Sequence, residues 1–243
     1  MTDKANCGTC GHPCLGGSCL GGLCQPVTLA TTTNTWVYIA VDANNVYWPS
    51  NGLTVYSCPI NGGCGNGNAL YSVPAGSPVT GNVQGLTVAP AGSAFGGYVF
   101  ALASDPGNDV YLLPTQISNG STTPALLNLY EAVGLVYDPS NDWLYTSEQL
   151  GMPGTFCLNR MKRDGTQLQY VLSTFSSVSG YLGIDSSNVY VPDSGANRVV
   201  YCPLTGTCSN SNVEMNVSAP TAAFSDGTNC HCPPRRAQVL TPS

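Results

Sequence analysis

One short segment recurs five times, each recurrence is followed by strand-like runs, and no ten-residue stretch shows a helical period. Together these predict an all-β fold of four-stranded sheets set around a ring, a β-propeller. The segment reads Ile39-Ala40-Val41-Asp42-Ala43-Asn44-Asn45-Val46-Tyr47-Trp48 at its first occurrence. It returns as Leu135–Tyr145 and Leu182–Tyr190, with looser copies starting at Leu86 and Ala223. Measured from the first apolar residue of each copy (39, 86, 135, 182, 223), the gaps are 47, 49, 47 and 41 residues.

Within the first period, four runs read as strands: Trp36–Val41, Asn45–Trp48, Leu53–Ser57 and Ala69–Val73. They are β-branched or aromatic, and Asn, Gly and Pro separate them. Blades are expected to start near residues 36, 83, 132, 179 and 220, four complete and a fifth partial. The second blade carries the extra residues Ala91–Gly97. Val55–Pro59, Val110–Pro114 and Val199–Pro203 align as third strands, and Asn61-Gly62 and Asp164-Gly165 mark hairpin turns into the fourth. The fifth copy breaks off after Asn229, with Ala237–Leu240 as a candidate strand beyond it. Because a propeller avoids open sheet edges by closing its ring, Pro26–Ala30 is assigned as a candidate outer strand of the fifth blade. The alternative is a fragment of a larger secreted propeller protein, six-bladed being one such size.

Composition narrows the function classes. The chain has 243 residues, of which 42% are hydrophobic and 8% charged, and a net charge of −6. That balance argues against nucleic acid, whose binding needs Lys and Arg to neutralise phosphates. No run approaches the roughly 18 apolar residues of a membrane helix, so no membrane-spanning segment is expected. Twelve cysteines fit an oxidising exterior, extracellular or at the cell surface, although the start lacks the apolar core of a signal peptide.

The cysteines divide into groups. Cys7, Cys10, Cys14, Cys19 and Cys24 lie within residues 1–25, a Gly-rich stem too small for a hydrophobic core. It must be held by disulfides or metal; Cys7, Cys10 and His12 resemble zinc ligands, but the exterior setting favours disulfides. Cys58/Cys64 and Cys202/Cys208 share one blade position and one spacing, while the third blade has Met161 and Gln167 there. Joint presence and joint absence is the pattern of a hairpin disulfide. Cys157, Cys230 and Cys232 are left over; the last two sit two apart on a strand and are not expected to bond each other.

Asn45-Val46-Tyr47-Trp48, Leu144–Glu148 with Arg163–Thr166, and Val189–Asp193 with Asn197–Val199 resemble the YWTD repeat of lipoprotein-receptor-type propellers, and NHL-type propellers nearly as well. No copy has a full Tyr-Trp-Thr-Asp. The first 25 residues resemble Gly/Cys-rich stem modules of secreted bacterial proteins. These resemblances imply an extracellular binding or adhesion module that recognises a protein or glycan through loops on one propeller face. Trp48, Trp143, Tyr145, Tyr190 and Asp193 are the candidate binding residues. The repeated Asp42, Asp138, Asp185 and Asp226 read as turn residues rather than a ring of metal ligands, and the repeated tyrosines read first as packing. No cofactor is expected. There is no G-x-S-x-G and no His-rich metal motif, and Glu131, Glu148 and Glu214 are scattered among blades. The rival is a metal-dependent propeller hydrolase or lyase that uses the central channel.

Overall fold

The computed structural model describes residues 3–8, 14, 17–31, 38–50, 53–73, 77, 79–90, 92, 96–150, 155–178, 180–209, 212–225 and 230–231. Cys10, His12, Asp226, Cys232 and Ala237–Leu240 lie outside them. A two-stranded hairpin of β1 (Cys19–Leu20) and β2 (Leu23–Cys24) precedes four antiparallel four-stranded sheets. Blade 1 comprises β3 (Ala40–Val41), β4 (Asn45–Pro49), β5 (Val55–Pro59) and β6 (Asn68–Tyr71). Blade 2 comprises β7 (Val83–Ala89), β8 (Tyr98–Ser104), β9 (Asp109–Gln116) and β10 (Ala125–Tyr130). Blade 3 has β11 (Val133–Asp138), β12 (Trp143–Gln149), β13 (Phe156–Met161) and β14 (Gln169–Phe175). Blade 4 has β15 (Gly183–Ile184), β16 (Asn188–Asp193), β17 (Arg198–Pro203) and β18 (Val213–Asn216). A fifth sheet is limited, among the described residues, to β19 (Phe224–Ser225) and β20 (Cys230–His231). Within each blade the strands pair in chain order, so the chain is an all-β propeller.

Alternation along the strands sends side chains to both faces of every sheet, and each face meets a different blade. Tyr47, Val55 and Tyr71 of blade 1 pack with Leu86, Val99 and Leu113 of blade 2. The opposite face of blade 2, with Phe100, Leu102 and Leu112, packs with Leu135, Leu144 and Met161 of blade 3. Tyr145, Leu158 and Phe175 then meet Val189, Val191 and Val200 of blade 4. Tyr190 and Val199 close on Ala223 at the entry to blade 5. The tyrosines 47, 145 and 190 thus each face the following blade, while Leu144 and Val189 face the preceding one and Val46 holds the equivalent position in blade 1.

The innermost strands approach each other closely. A Cβ on Gly85 would lie 2.9 Å from the carbonyl carbon of Gly134. Gly134 itself has φ +70°, and a Cβ there would run into the Gly180 carbonyl. Only glycine satisfies both demands at residue 134.

Among the described residues the disulfides are Cys7–Cys19, Cys14–Cys24, Cys58–Cys64 and Cys202–Cys208. The two hairpin bridges expected from blade comparison are therefore present, and the stem is cross-linked rather than open for zinc. Cys7, Cys14 and Cys24 lie close together, but all three sulfurs are spent in disulfides. Cys157 is free and buried.

The run Pro26–Ala30 departs from expectation. Among the described residues it forms no strand, and it lies along blade 1 on the face away from blade 2. Val27, Thr28, Leu29 and Ala30 line a cavity of about 320 Å³ with Ile39, Val46 and Trp48. The Cys64 sulfur rests 3.4 Å from the Leu29 carbonyl oxygen. The reason is apolar surface: Val46 and Trp48 occupy the face that Leu144 and Val189 bury against a preceding blade, and Val27 and Leu29 lie against it.

Replacing Gly134 by alanine should destabilise the chain by about 2–4 kcal/mol, read from urea melts, because a positive φ and a backbone clash coincide. Alkylation of the unfolded, unreduced protein should leave Cys7, Cys14, Cys19, Cys24, Cys58, Cys64, Cys202 and Cys208 unmodified until reductant is added. Labelling of these eight before reduction would contradict the bridges.

Candidate functional site

The repeated aspartates sit at the hairpin between the first and second strands of a blade. Asp42 accepts the backbone N–H groups of Asn44 (2.7 Å) and Asn45 (2.8 Å) on one oxygen. Its other oxygen accepts the Tyr47 hydroxyl at 2.9 Å. Asp185 repeats the arrangement with Ser187, Asn188 and Tyr190, all at 2.7 Å. Turn residue and packing tyrosine are thus one unit. Burial opposes the charge on Asp185, but the Tyr190 hydroxyl and the two amides outweigh it and hold its carboxyl below the usual range. Burial, then the Asp185 hydrogen bond, pushes Tyr190 up to about 12. In blade 3 the spacing lengthens and the bond is rewired: Asp138 binds the Ser140 amide and the Asn141 side chain, and Tyr137 donates to Asp142 at 3.0 Å.

The five candidate binding residues divide by burial. Trp48 is buried and stacks on Tyr56, with ring centroids 6.0 Å apart. Tyr145 and Tyr190 are buried between blades. Asp193 is fully buried; it accepts the amides of Ser176 and Ser177 and pairs with Arg198 at 3.1 Å, fastening the blade 3–4 connection. Trp143 is half-buried at the start of β12, with the Lys162 ammonium 3.9 Å and the Arg160 guanidinium 4.7 Å from its ring centroid. The structure therefore does not bring these five together on one surface.

Glu148 has a role its isolation in sequence did not show. It is buried on the blade 3 face toward blade 2, accepting the Tyr130 amide and the Asn159 side chain, each at 2.8 Å. The Cys157 thiol lies 3.5 Å from it, and burial together with that carboxylate pushes the thiol up to about 12. Such a thiol is not a nucleophile at neutral pH.

Two hollows remain. The first, about 400 Å³, is central: β3, β7, β11, β15 and β19 all contribute to its wall. Ile39 (59% exposed), Val41 (56%) and Phe224 (51%) open onto it, with Val88, Val136 and Ile184. Tyr38 of blade 1 and Tyr181 of blade 4 meet there, ring centroids 5.1 Å apart, and burial raises Tyr38 to about 12. No Asp, Glu, His or Cys is among the described residues lining it. The second hollow, about 240 Å³, lies between blades 2 and 3. Tyr98 and Phe100 of β8 form its aromatic side, stacked at 5.9 Å. Gln116, a hydroxyl run at 121–123, and Arg163-Asp164 of the blade 3 turn complete it.

Comparison with family profiles and with curated protein sequences gives no match. Solved structures do match, and they place the chain in the class of β-propellers. The nidogen/laminin complex aligns over 80% of this chain and 70% of that chain, at 18% identity and TM-score 0.57. The putative TolB of Agrobacterium tumefaciens aligns over 85% and 78%, at 15% identity and TM-score 0.56. An oligogalacturonate lyase in complex with manganese aligns over 79% and 55%, at 11% identity and TM-score 0.53. At these identities the likeness is one of fold.

Replacing Tyr190 by phenylalanine should cost about 1.5–3 kcal/mol, as expected for a hydrogen bond to a charged group. The acid limb carries a sign. Asp185 has a lowered folded pKa, so its contribution is complete above the unfolded carboxyl value, about 3.9, and fades as pH falls through the folded one. Tyr190→Phe should therefore flatten the stability–pH curve below about pH 4. An unchanged acid limb would contradict the tie.

Proposed function

We propose that the chain is an extracellular, non-catalytic binding module whose partner protein docks on the propeller face at the mouth of the central hollow. The observation that carries this reading is the hollow's lining. Five innermost strands converge on it, and the large side chains Ile39, Val41 and Phe224 stand more than half exposed at its mouth. Large apolar side chains left half-exposed in one place mark interaction sites more often than chance surface. Four disulfides support an oxidising, extracellular address. The fold neighbour crystallised as a nidogen/laminin complex offers a precedent for a propeller in a protein assembly. No helix among the described residues is long and apolar enough to cross a membrane.

The test is surface plasmon resonance of the full chain against purified extracellular glycoproteins, laminin first, alongside Ile39→Asp and Phe224→Asp. Binding by the wild-type chain should weaken about tenfold or more in both variants, with far-UV spectra unchanged. Turnover of lactone, ester or oligouronide substrates that chelator abolishes, with no binding to the set, would favour the channel enzyme instead.

A further inference from the structure

The hollow between blades 2 and 3 has a different chemistry from the central one, and it is not a requirement of the propeller fold. The blade 3 turn reaches it because residue 165 lacks a side chain: a Cβ on Gly165 would sit 3.0 Å from both Ala125 and Leu127 of β10. That close seat sets Arg163 and Asp164 against Tyr98, with the guanidinium 5.7 Å from the ring centroid. Tyr98 in turn is held by a stack that runs through Phe100 to Tyr137, whose rings are 5.5 Å apart. The aromatic wall is therefore rigid before any ligand arrives.

Charge decides what such a wall would receive. Arg163 stands 3.7 Å from Asp142, and Asp164 lies beside it. The Asp164 carboxyl is held below its usual range by Thr166, whose amide and hydroxyl it accepts. One cation against two carboxylates is a poor anion site. It is instead a donor and an acceptor placed side by side, joined by the Gln116 amide, which is both, and by the Thr123 hydroxyl. Adjacent ring hydroxyls, each a donor and an acceptor, match that set, and the C–H face of a pyranose matches an aromatic wall. The volume, about 240 Å³, is below the roughly 300 Å³ at which pockets for drug-sized ligands begin, and suits one ring.

We propose that the hollow formed by Tyr98, Gln116, Thr123, Arg163 and Asp164 between blades 2 and 3 binds one neutral sugar ring. This site is separate from the central hollow and does not depend on the protein-docking reading.

Saturation-transfer-difference NMR on the full chain tests it. The probes are methyl glycosides of neutral hexoses and N-acetylhexosamines, matched uronates, and an acidic peptide. At least one neutral glycoside should bind saturably with a Kd of about 1 mM, and Gln116→Ala and Thr123→Val should each weaken it several-fold. Tyr98→Ala should weaken it about tenfold or more. Because Tyr98 also packs, the two polar variants are decisive if that one unfolds. Ile39→Asp and Phe224→Asp should leave sugar binding unchanged, which separates failure of this site from failure of the central one. The proposal is overturned if no neutral glycoside saturates the folded chain at about 10 mM. Preference for the uronates or the peptide, or binding indifferent to both polar variants, overturns it equally.

Discussion

A sheet that is apolar on both faces has to be covered twice, and this constraint shapes the whole chain. Phe100 and Leu102 point one way from β8 while Val99 and Ala101 point the other, and both sets are buried. Neither face can be left to water at about 25 cal/mol per Å². Each blade is consequently a neighbour before it is a unit, and the arrangement that gives every sheet two neighbours is a ring. The covering of the first blade by Val27–Ala30, on the face away from blade 2, answers the same demand with the nearest available chain.

Blades also need a fixed twist and entry angle, and hydrogen bonds supply these where apolar packing is non-directional. Asp42 with Tyr47, and Asp185 with Tyr190, join the inner hairpin turn to a side chain sunk between blades. Glu148 does the equivalent across blades 2 and 3, and Asp193 with Arg198 across the connection between blades 3 and 4. Nearly every conspicuous polar residue of the repeats is engaged in this scaffold. What remains for binding is what the scaffold leaves over: an apolar central hollow, and a polar-aromatic notch where the Arg163–Gly165 turn leans on blade 2.

The repeat made the blades legible, because strand period and turn residues recur whatever the ligand. The hairpin disulfides were legible for the same reason: Cys58/Cys64 and Cys202/Cys208 hold one register position, and blade 3 lacks both members. The Asp–Tyr tie was half legible. Its spacing of five residues stands in blades 1 and 4, yet the aspartate as turn and the tyrosine as packing are separate inferences until geometry joins them. Trp48 stood out as a candidate binding aromatic because its neighbour in the fold, Tyr56 of the adjacent strand, cannot be read as a stacking partner from sequence. The notch was not legible at all. Tyr98, Gln116 and Arg163 hold unrelated positions in two repeats, and only the absence of a side chain at Gly165 brings them together. The placement of Val27–Ala30 also escaped prediction, since ring closure names a need without saying which chain meets it.

Native-state hydrogen exchange along the second strands of the blades measures whether each blade depends on its neighbours. If each blade is stable only between its neighbours, amides of β8, β12 and β16 should open together, with one free energy that matches global unfolding and one denaturant dependence. Independent opening of these strands, each with its own smaller free energy, would show that the blades stand alone and would contradict the mutual dependence of the blades.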